Sequence, residues 1–118
     1  MERLKTRPAF RAVARGRRIS RPGFVLQALK AAPDGDRPPR FGFTVTKKIG
    51  NAVVRNRIRR RLREAVRLAG AAHGEAGTDY VLVGRRAALS LDFDRMVTDL
   101  LTGITALSKR DEAQQPRS

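Results

Sequence analysis

The sequence predicts a single α+β domain, and three observations lead to this class. A chain of 118 residues with 41% apolar residues spread along its length is long enough for one hydrophobic core and too short for two ordinary domains. Residues 52–69 repeat apolar side chains at the period of an amphipathic helix. Residues 80–83 are all apolar, which is typical of a strand buried on both faces of a sheet.

The first part of the chain predicts a short helix followed by two strands. Thr6 is a suitable N-cap, and apolar residues follow it at helical spacing until Gly16 ends the segment. Residues 19–29 carry a strand pattern, and residues 40–46 alternate apolar residues with polar or small ones. Because the turn formers of residues 32–39 separate the two strand patterns, we expect these strands to pair as a hairpin.

The second part predicts a helix, a strand and a closing helix. The helix over residues 52–69 turns one side toward the core, and that side consists of Val54, Ile58, Leu62, Ala65, Val66 and Ala69. A loop over residues 70–77 leads to the strand at 80–83, and the order strand, helix, strand implies a parallel crossover. Apolar residues at helical spacing over residues 93–107 predict the closing helix.

The net charge of +15 is concentrated in one part of the sequence. Residues 1–67 carry 20 Lys and Arg against four acids, whereas the remaining 51 residues carry six against seven. A concentrated positive field attracts polyanions by releasing their condensed counterions. A merely solvated basic surface is the alternative, but such surfaces usually intersperse acids. The charge therefore favours nucleic acid, and an anionic membrane would require an amphipathic helix free to leave the core.

The composition also excludes several classes of protein. The sequence has no run of about 18 apolar residues that could span a bilayer and no apolar signal-peptide core near its start, so we expect a cytoplasmic protein. Cysteine is absent, which excludes disulfides and thiolate metal sites. We expect residues 1–108 to form the domain and residues 109–118 to form a polar, disordered tail.

The helix over residues 52–69 has an unusual charge pattern. It carries arginine at positions 55, 57, 59, 60, 61, 63 and 67 against a single acid, Glu64. An ordinary surface helix mixes charge signs, whereas the planar fork of arginine suits bidentate contacts with phosphate. The turn before the helix adds free N–H groups and the positive end of the helix dipole. Arg55 lies beside the apolar stripe, so either the first turn is distorted or Arg55 reaches across the edge of a groove.

This segment resembles the signature of the bacterial ribonuclease P protein family. The motif reads Lys47-Lys48-Ile49-Gly50-Asn51-Ala52-Val53-Val54-Arg55-Asn56-Arg57 and leads into the basic helix. Further positions similar to the family are Phe10, Gly16, Phe24-Val25-Leu26, Arg40, Gly42, Val45, Asp79-Tyr80 and Arg85. The resemblance implies an α+β two-layer sandwich of order αβββαβα, with a four-stranded mixed sheet and a left-handed β-α-β crossover, as in a domain of one small-subunit ribosomal protein. General rules alone predict a right-handed crossover.

The resemblance also implies contacts with the catalytic RNA of ribonuclease P. The expected contacts are Lys47, Lys48, Asn51, Arg55, Asn56, Arg57, Arg59, Arg60, Arg63 and Arg67. Some of these residues could instead serve the fold, since lysines at a strand end discourage edge pairing and Asn56 could brace the loop.

A second implied site is a cleft for the single-stranded 5′ leader of precursor tRNA, between the first helix and the sheet. Its expected residues are Phe10, Arg11, Arg15, Arg17, Arg18, Gln27 and Arg85. Phe10 could stack on a base or belong to the core. Second aromatics found in many relatives are replaced here by Val13 or Ala14 and by Gln27. We therefore expect leader binding to depend more on arginines than on stacking.

The sequence offers no convincing catalytic centre. His73 is the single histidine of the sequence and lies in a loop rich in Gly and Ala, and Asp92 and Asp94 are accounted for by the favourable position of acids at the start of a helix. Asp99 could extend these two into a metal cluster, as a self-sufficient nuclease would require. The resemblance implies instead that the RNA performs hydrolysis with bound Mg²⁺, and that the protein binds no cofactor, small-molecule substrate or membrane. A structural RNA-binding protein, such as a ribosomal protein, is the other alternative.

Overall fold

The computed structural model describes residues 2–32 and 37–114, and for residues 71 and 109–114 it describes the backbone alone. The strands are β1 (Glu2–Arg3), β2 (Arg17–Ser20), β3 (Phe24–Lys30), β4 (Arg40–Thr44) and β5 (Thr78–Gly84). The helices are α1 (Arg7–Ala14), α2 (Ala52–Ala65), α3 (Ala71–His73) and α4 (Phe93–Gln114). Short 3₁₀ turns lie at Lys47–Ile49 and Arg86–Leu89, and a π-helical turn lies at Val66–Gly70.

The described strands form one mixed sheet in the order β1-β4-β5-β3-β2. β5 is central, since it pairs in parallel with β4 and antiparallel with β3. The predicted central strand and the predicted parallel crossover, β4-α2-β5, are both confirmed. Each apolar residue of β5 can thus pack against a helix above or below the sheet.

The sheet separates a large core from a small one. On one face α2 and α4 pack against the strands through fully buried side chains such as Ile58, Leu62 and Leu100. On the other face α1 packs through Val13 onto Val81. Complete burial of a side chain of this size contributes about 1.5–3 kcal/mol relative to exposure, so the periodic apolar residues of α2 hold it on the sheet. Of the predicted core stripe, only Val54 is incompletely buried.

The predicted hairpin between residues 19–29 and residues 40–46 is wrong. β5 lies between β3 and β4, and the hairpin is formed instead by β2 and β3, where Arg21 N donates to Phe24 O at 2.8 Å. Strand patterns indicate which segments are extended but not which of them pair. A strand that is apolar on both faces is most stable in the middle of the sheet, and β5 therefore separates the two sequence neighbours.

The sheet has a fifth strand that was not predicted. Glu2–Arg3 pairs in parallel with the outer edge of β4, and Leu4 N continues this pairing by donating to Phe41 O at 2.9 Å. Two residues are too few to show the alternation by which a strand is recognised in a sequence. β1 covers only the first part of β4, and no described strand pairs with the edge beyond Phe41.

Two helices extend further than predicted. The loop expected over residues 70–77 begins only after α3, because Gly70 does not break the helix but allows close packing. A Cβ atom at Gly70 would lie 3.2 Å from the Leu100 side chain. Likewise α4 continues to Gln114, so residues 109–114 are helical where a disordered tail was predicted. Most residues of this stretch are good helix formers. The remaining tail positions, 115–118, lie outside the described residues.

None of the helices within the described ranges is both long enough and apolar enough to cross a membrane.

Candidate nucleic-acid interface

The loop before α2 is held in place from two sides. Asn51 caps the helix, since its side chain accepts a hydrogen bond from Val54 N at 3.0 Å. Arg86 Nη1 donates to Ile49 O at 2.6 Å and ties the loop to the 3₁₀ turn after β5. Asn51 was predicted as an RNA contact, and its side-chain oxygen is engaged in the cap. The exposed side chains of Lys47 and Lys48 are thereby placed beside the N-terminus of α2.

One arginine of α2 is used by the fold itself. Arg61 Nη1 donates to Ala88 O and Arg61 Nη2 donates to Leu91 O, both at 2.6 Å. These charge-assisted hydrogen bonds join α2 to the segment between β5 and α4. Arg61 was not among the predicted RNA contacts, and this geometry gives it a structural role.

Other cations of this surface have no partner within the described part of the chain. No hydrogen bond or ion pair with described residues engages Lys47, Lys48, Arg55, Arg57 or Arg60. Arg55 is only partly exposed, and its Nε atom is buried without a described partner. Because Arg55 N donates to Asn51 O at 3.0 Å, the first turn of α2 is regular and not distorted. The alternative of a distorted first turn is therefore excluded, and the proposal that Arg55 reaches across a groove edge stays a prediction.

The remaining predicted contacts on α2 are held by neighbours on the surface. Arg59 Nη1 donates to Asn56 Oδ1 at 3.2 Å, and the guanidinium of Arg63 lies 5.9 Å from the centre of the Phe43 ring. Arg67 forms an ion pair with Glu64, which lowers the pKa of Glu64 and raises the pKa of Arg67. Part of the charge of Arg67 is thus neutralised within the protein.

A second basic surface lies where the edge of β4 is open. A cleft of about 350 Å³ is lined by Arg3, Leu4, Lys5, Phe10, Phe41, Gly42, Phe43, Arg59 and Arg63. Phe10 reaches this cleft because Gly42 has no side chain, and a Cβ atom there would lie 2.5 Å from Phe10 Cζ. Arg3 and Lys5 were not predicted, although their alternation around buried Leu4 is a weak signal of an edge strand.

The residues predicted to bind the 5′ leader lie at several places in the structure. Arg18 pairs with Gln27 across β2 and β3, and Gln27 is opposite Val81, so both lie on the face covered by α1. Arg11 and Arg15 are exposed at α1. Arg17 lies elsewhere.

Arg17 requires a correction of its predicted place, whereas the place of Arg85 in the cleft stays a prediction. Arg17 alternates with Ile19, which packs against the core under α4, so Arg17 lies on the opposite face of the sheet from Phe10. Arg85 follows the end of β5, where its Nη1 donates to Arg21 O at 3.1 Å. The sequence places Arg17 and Arg18 side by side, but adjacent strand residues point to opposite faces.

The two buried acidic residues of the described ranges are paired with arginines of the fold. Asp79 is 2% exposed and binds Arg40 through two hydrogen bonds of 2.9 and 2.8 Å, while Arg37 lies 2.9 Å from the same carboxylate. The pKa of Arg40 is raised, mainly by its hydrogen bond to Asp79. Asp99 pairs with Arg95 at 3.2 Å. No group of three His, Cys, Asp or Glu side chains that could hold a metal occurs among the described residues.

His73 does not lie in a loop as predicted but ends α3. Its Nδ1 atom lies 2.7 Å from Ala69 O, one helical turn earlier, and the side chain is largely exposed. Asp94 lies in the first turn of α4, and Asp92 O accepts a hydrogen bond from Met96 N. Both aspartates thus lie near the positive end of the helix dipole, as their sequence positions predict.

This fold and these surfaces define a small α+β domain with an open, positively charged surface suited to a polyanion. The family model described as Ribonuclease P matches residues 1–108. The ribonuclease P protein component of Gluconacetobacter diazotrophicus is 54% identical over 99 residues, which cover 83% of this chain and 84% of that protein. The chain therefore belongs to the ribonuclease P protein family, the protein components of an endoribonuclease of tRNA 5′ processing.

Other relatives agree with this assignment. The ribonuclease P protein component of Paramagnetospirillum magneticum is 43% identical over 122 residues, covering 98% of this chain and 92% of that protein. The RNase P protein of Staphylococcus aureus superposes with a TM-score of 0.71 at 25% identity, covering 92% of this chain and 96% of that one. The RNase P protein of Thermotoga maritima gives a TM-score of 0.71 at 27% identity, over 86% and 94% of the two chains. The predicted family and fold class are confirmed, with five strands in place of four.

Proposed function

We propose that this chain binds the catalytic RNA of ribonuclease P through α2 and the loop before it. On this proposal it also holds the 5′ leader of precursor tRNA in the cleft beside Phe10. Both contacts would assist the removal of the leader that creates the mature tRNA 5′ end. The observation that carries the proposal is the group of cations without partners in the described chain, namely Lys47, Lys48, Arg55, Arg57 and Arg60.

Physical chemistry explains why such a group implies a ligand. Like charges on one helix repel one another and destabilise it, and among the described residues Arg67 is the one arginine of this segment that is paired with an acid. Phosphates remove this repulsion, and each contact releases counterions. If six to ten basic residues touch phosphates, the affinity for RNA should fall roughly 10³- to 10⁵-fold between about 50 and 200 mM salt.

The cleft at the edge of β4 fits a short single strand. Proteins bind single strands by combining aromatic rings, on which bases stack, with cations that follow the backbone. Here Phe10 and Phe43 supply rings, and Arg59 and Arg63 reach the same cleft from α2. Because these two arginines also belong to the helix that would bind the catalytic RNA, the leader would enter next to that RNA. Arg17, on the other face of the sheet, has no place in this binding mode.

The chemistry of hydrolysis would come from the RNA. Magnesium bound to the RNA would activate water for attack on the phosphodiester. The protein residues would neutralise phosphates and hold the leader, and the described residues offer no cluster of ligands for a metal of their own. An assembly that processes precursor tRNA is expected in the cytoplasm.

The decisive experiment is cleavage of a 5′-extended precursor tRNA at low magnesium concentration. Three samples are compared: the protein, a bacterial ribonuclease P RNA, and the two combined. We expect cleavage at the mature 5′ end only in the combined sample. Cleavage by the protein alone would identify a nuclease, and no effect of adding it would leave a structural RNA-binding protein.

Two variants connect this experiment to the proposed surface. The double substitution Arg57→Gln and Arg60→Gln should weaken stimulation of cleavage at low magnesium. Lys30→Gln is the control for loss of charge, because Lys30 pairs with Thr78 at the end of the sheet away from Lys47. Equal loss of stimulation in the control would mean that total charge, and not this surface, determines binding.

A further inference from the structure

An exposed apolar residue lies in the middle of the basic surface of α2. The side chain of Val53 is 70% exposed. It lines a shallow cavity of about 230 Å³ together with Asn56, Arg57 and Arg60. In the described ranges Leu68, at 54%, is the other large hydrophobic residue with such exposure. Cations alone are sufficient to bind phosphate. The exposure of Val53 next to these cations therefore points to a ligand that also presents an apolar surface.

The position of Val53 on the helix excludes a role in the core. Val53, Asn56, Arg57 and Arg60 follow the spacing i, i+3, i+4, i+7 and form one stripe about 100° wide. Ile58 and the other buried residues of α2 lie on the opposite side. Packing therefore does not require an apolar side chain at position 53, and a helix turned to water would carry a polar one there.

Asn56 is oriented by its neighbour. Its Oδ1 atom accepts a hydrogen bond from Arg59 Nη1, so its amide nitrogen is left to donate. No described residue accepts from this nitrogen. The stripe thus presents an apolar contact, an amide donor and two guanidinium groups side by side.

We propose that this stripe binds the minor-groove side of an RNA helix and not the phosphates alone. The inference rests on the proposed function, in which α2 faces the catalytic RNA. The minor groove of A-form RNA is wide and shallow, and it displays 2′-hydroxyls and base acceptors. Val53 packs on a ribose, Asn56 donates to a 2′-hydroxyl or a base acceptor, and Arg57 and Arg60 contact the flanking phosphates.

This arrangement differs from a purely ionic surface in two measurable ways. The contacts of Val53 and Asn56 release no counterions, so they add affinity without changing the slope of log affinity against log salt. They also depend on the ribose and on A-form geometry, so they favour an RNA duplex over a DNA duplex of the same sequence.

The test measures binding of the full-length chain to a bacterial ribonuclease P RNA, and to matched RNA and DNA duplexes, at several salt concentrations. Val53→Thr keeps the shape of the side chain and a similar helix propensity but replaces a methyl group by a hydroxyl. Asn56→Ala removes the amide donor. Leu68→Thr is the control, because it replaces the apolar side chain at the other exposed position by a polar one. Circular dichroism and the Tm verify that each variant is folded.

We expect Val53→Thr and Asn56→Ala each to weaken binding to the catalytic RNA about three- to tenfold. Their salt slopes should stay at the wild-type value, and the preference for the RNA duplex should decrease. Wild-type affinity and duplex preference in both variants would overturn the inference while leaving the proposed function intact. Failure of the wild-type chain to bind the catalytic RNA would overturn both, and equal weakening by Leu68→Thr would show that the effect is not specific to this stripe.

Discussion

Two sets of arginines on α2 have opposite roles, although nothing in their residue type distinguishes them. Arg61 places both terminal nitrogens on backbone carbonyls of the segment before α4. Arg57 and Arg60, on the outer side, have no partner within the described chain. The difference shows that a count of basic residues does not measure an RNA-binding surface. What matters is which of the cations the fold has left without acceptors.

The same distinction applies to the buried polar groups near β5. Asp79 is satisfied by Arg37 and Arg40, and the hydroxyl of Tyr80 accepts a hydrogen bond from Glu75 N at 3.0 Å. Both groups are engaged by described residues of the fold. Substitutions at groups with partners in the fold, here called satisfied groups, should therefore reduce stability. Substitutions at groups without partners in the described chain, here called open groups, should reduce RNA affinity.

The largest effect is expected for the arginines that have no partner in the described chain. The double substitution Arg57→Gln and Arg60→Gln should lower affinity for the catalytic RNA on the order of 100-fold at about 100 mM salt, because two charge-assisted contacts are lost. The slope of log affinity against log salt should become shallower by roughly two, since two fewer phosphates are neutralised. Binding titrations over a range of salt measure both quantities. An unchanged slope would mean that these arginines do not touch phosphate.

The opposite result is expected for Arg61. Arg61→Ala should reduce the free energy of unfolding by about 2–4 kcal/mol, because two hydrogen bonds from a charged donor are lost. Urea unfolding measures this as a lower midpoint with an unchanged m-value. Arg61→Lys, which can keep one of the two hydrogen bonds, should fall between the wild type and Arg61→Ala. A normal midpoint combined with a shallower salt slope of RNA binding would place Arg61 on the RNA side and contradict the comparison.

The sequence predicted those features that follow from local geometry. Ile58 and Leu62 were assigned to the core because helical periodicity alone places them on one side, and the central position of β5 followed from its continuous apolar run. The role of Arg61 was not predictable, since its acceptors lie 27 and 30 residues further along the chain. The prediction of strand pairing was wrong for the same reason, because β5, which pairs with β3, is distant from it in sequence.

The candidate site shows the same limit. The motif at residues 47–57 identified the loop and helix proposed to bind RNA through a family resemblance, which contains information that no single pattern in this chain provides. The motif did not show that Arg17 and Arg18 lie on opposite faces of the sheet, because the face to which a strand residue points depends on the register of the strand with its partners. It also did not reveal Arg3 and Lys5, which reach the cleft only because β1 joins the edge of β4. Exposure in the folded protein was needed to single out Val53.

The smallest predicted effect concerns the buried hydroxyl of Tyr80 and its dependence on pH. Burial raises the pKa of Tyr80 above its usual value near 10, despite the hydrogen bond from Glu75 N. The stabilising contribution of the neutral phenol is therefore complete below the unfolded pKa and is lost as pH rises through the folded pKa. Because the chain contains one tyrosine, phenolate absorbance reports on this residue alone.

We expect the phenolate absorbance of the folded protein to appear at higher pH than that of the urea-unfolded chain. Tyr80→Phe should cost about 1 kcal/mol at neutral pH, through loss of the hydrogen bond that Glu75 N donates to the phenol. The decline of stability with pH above the ordinary tyrosine pKa should be smaller in this variant, because the phenol contributes no titration. Identical titration curves for the folded and unfolded chain would show that the phenol is hydrated. The hydroxyl of Tyr80 would then be an open group and not a satisfied one.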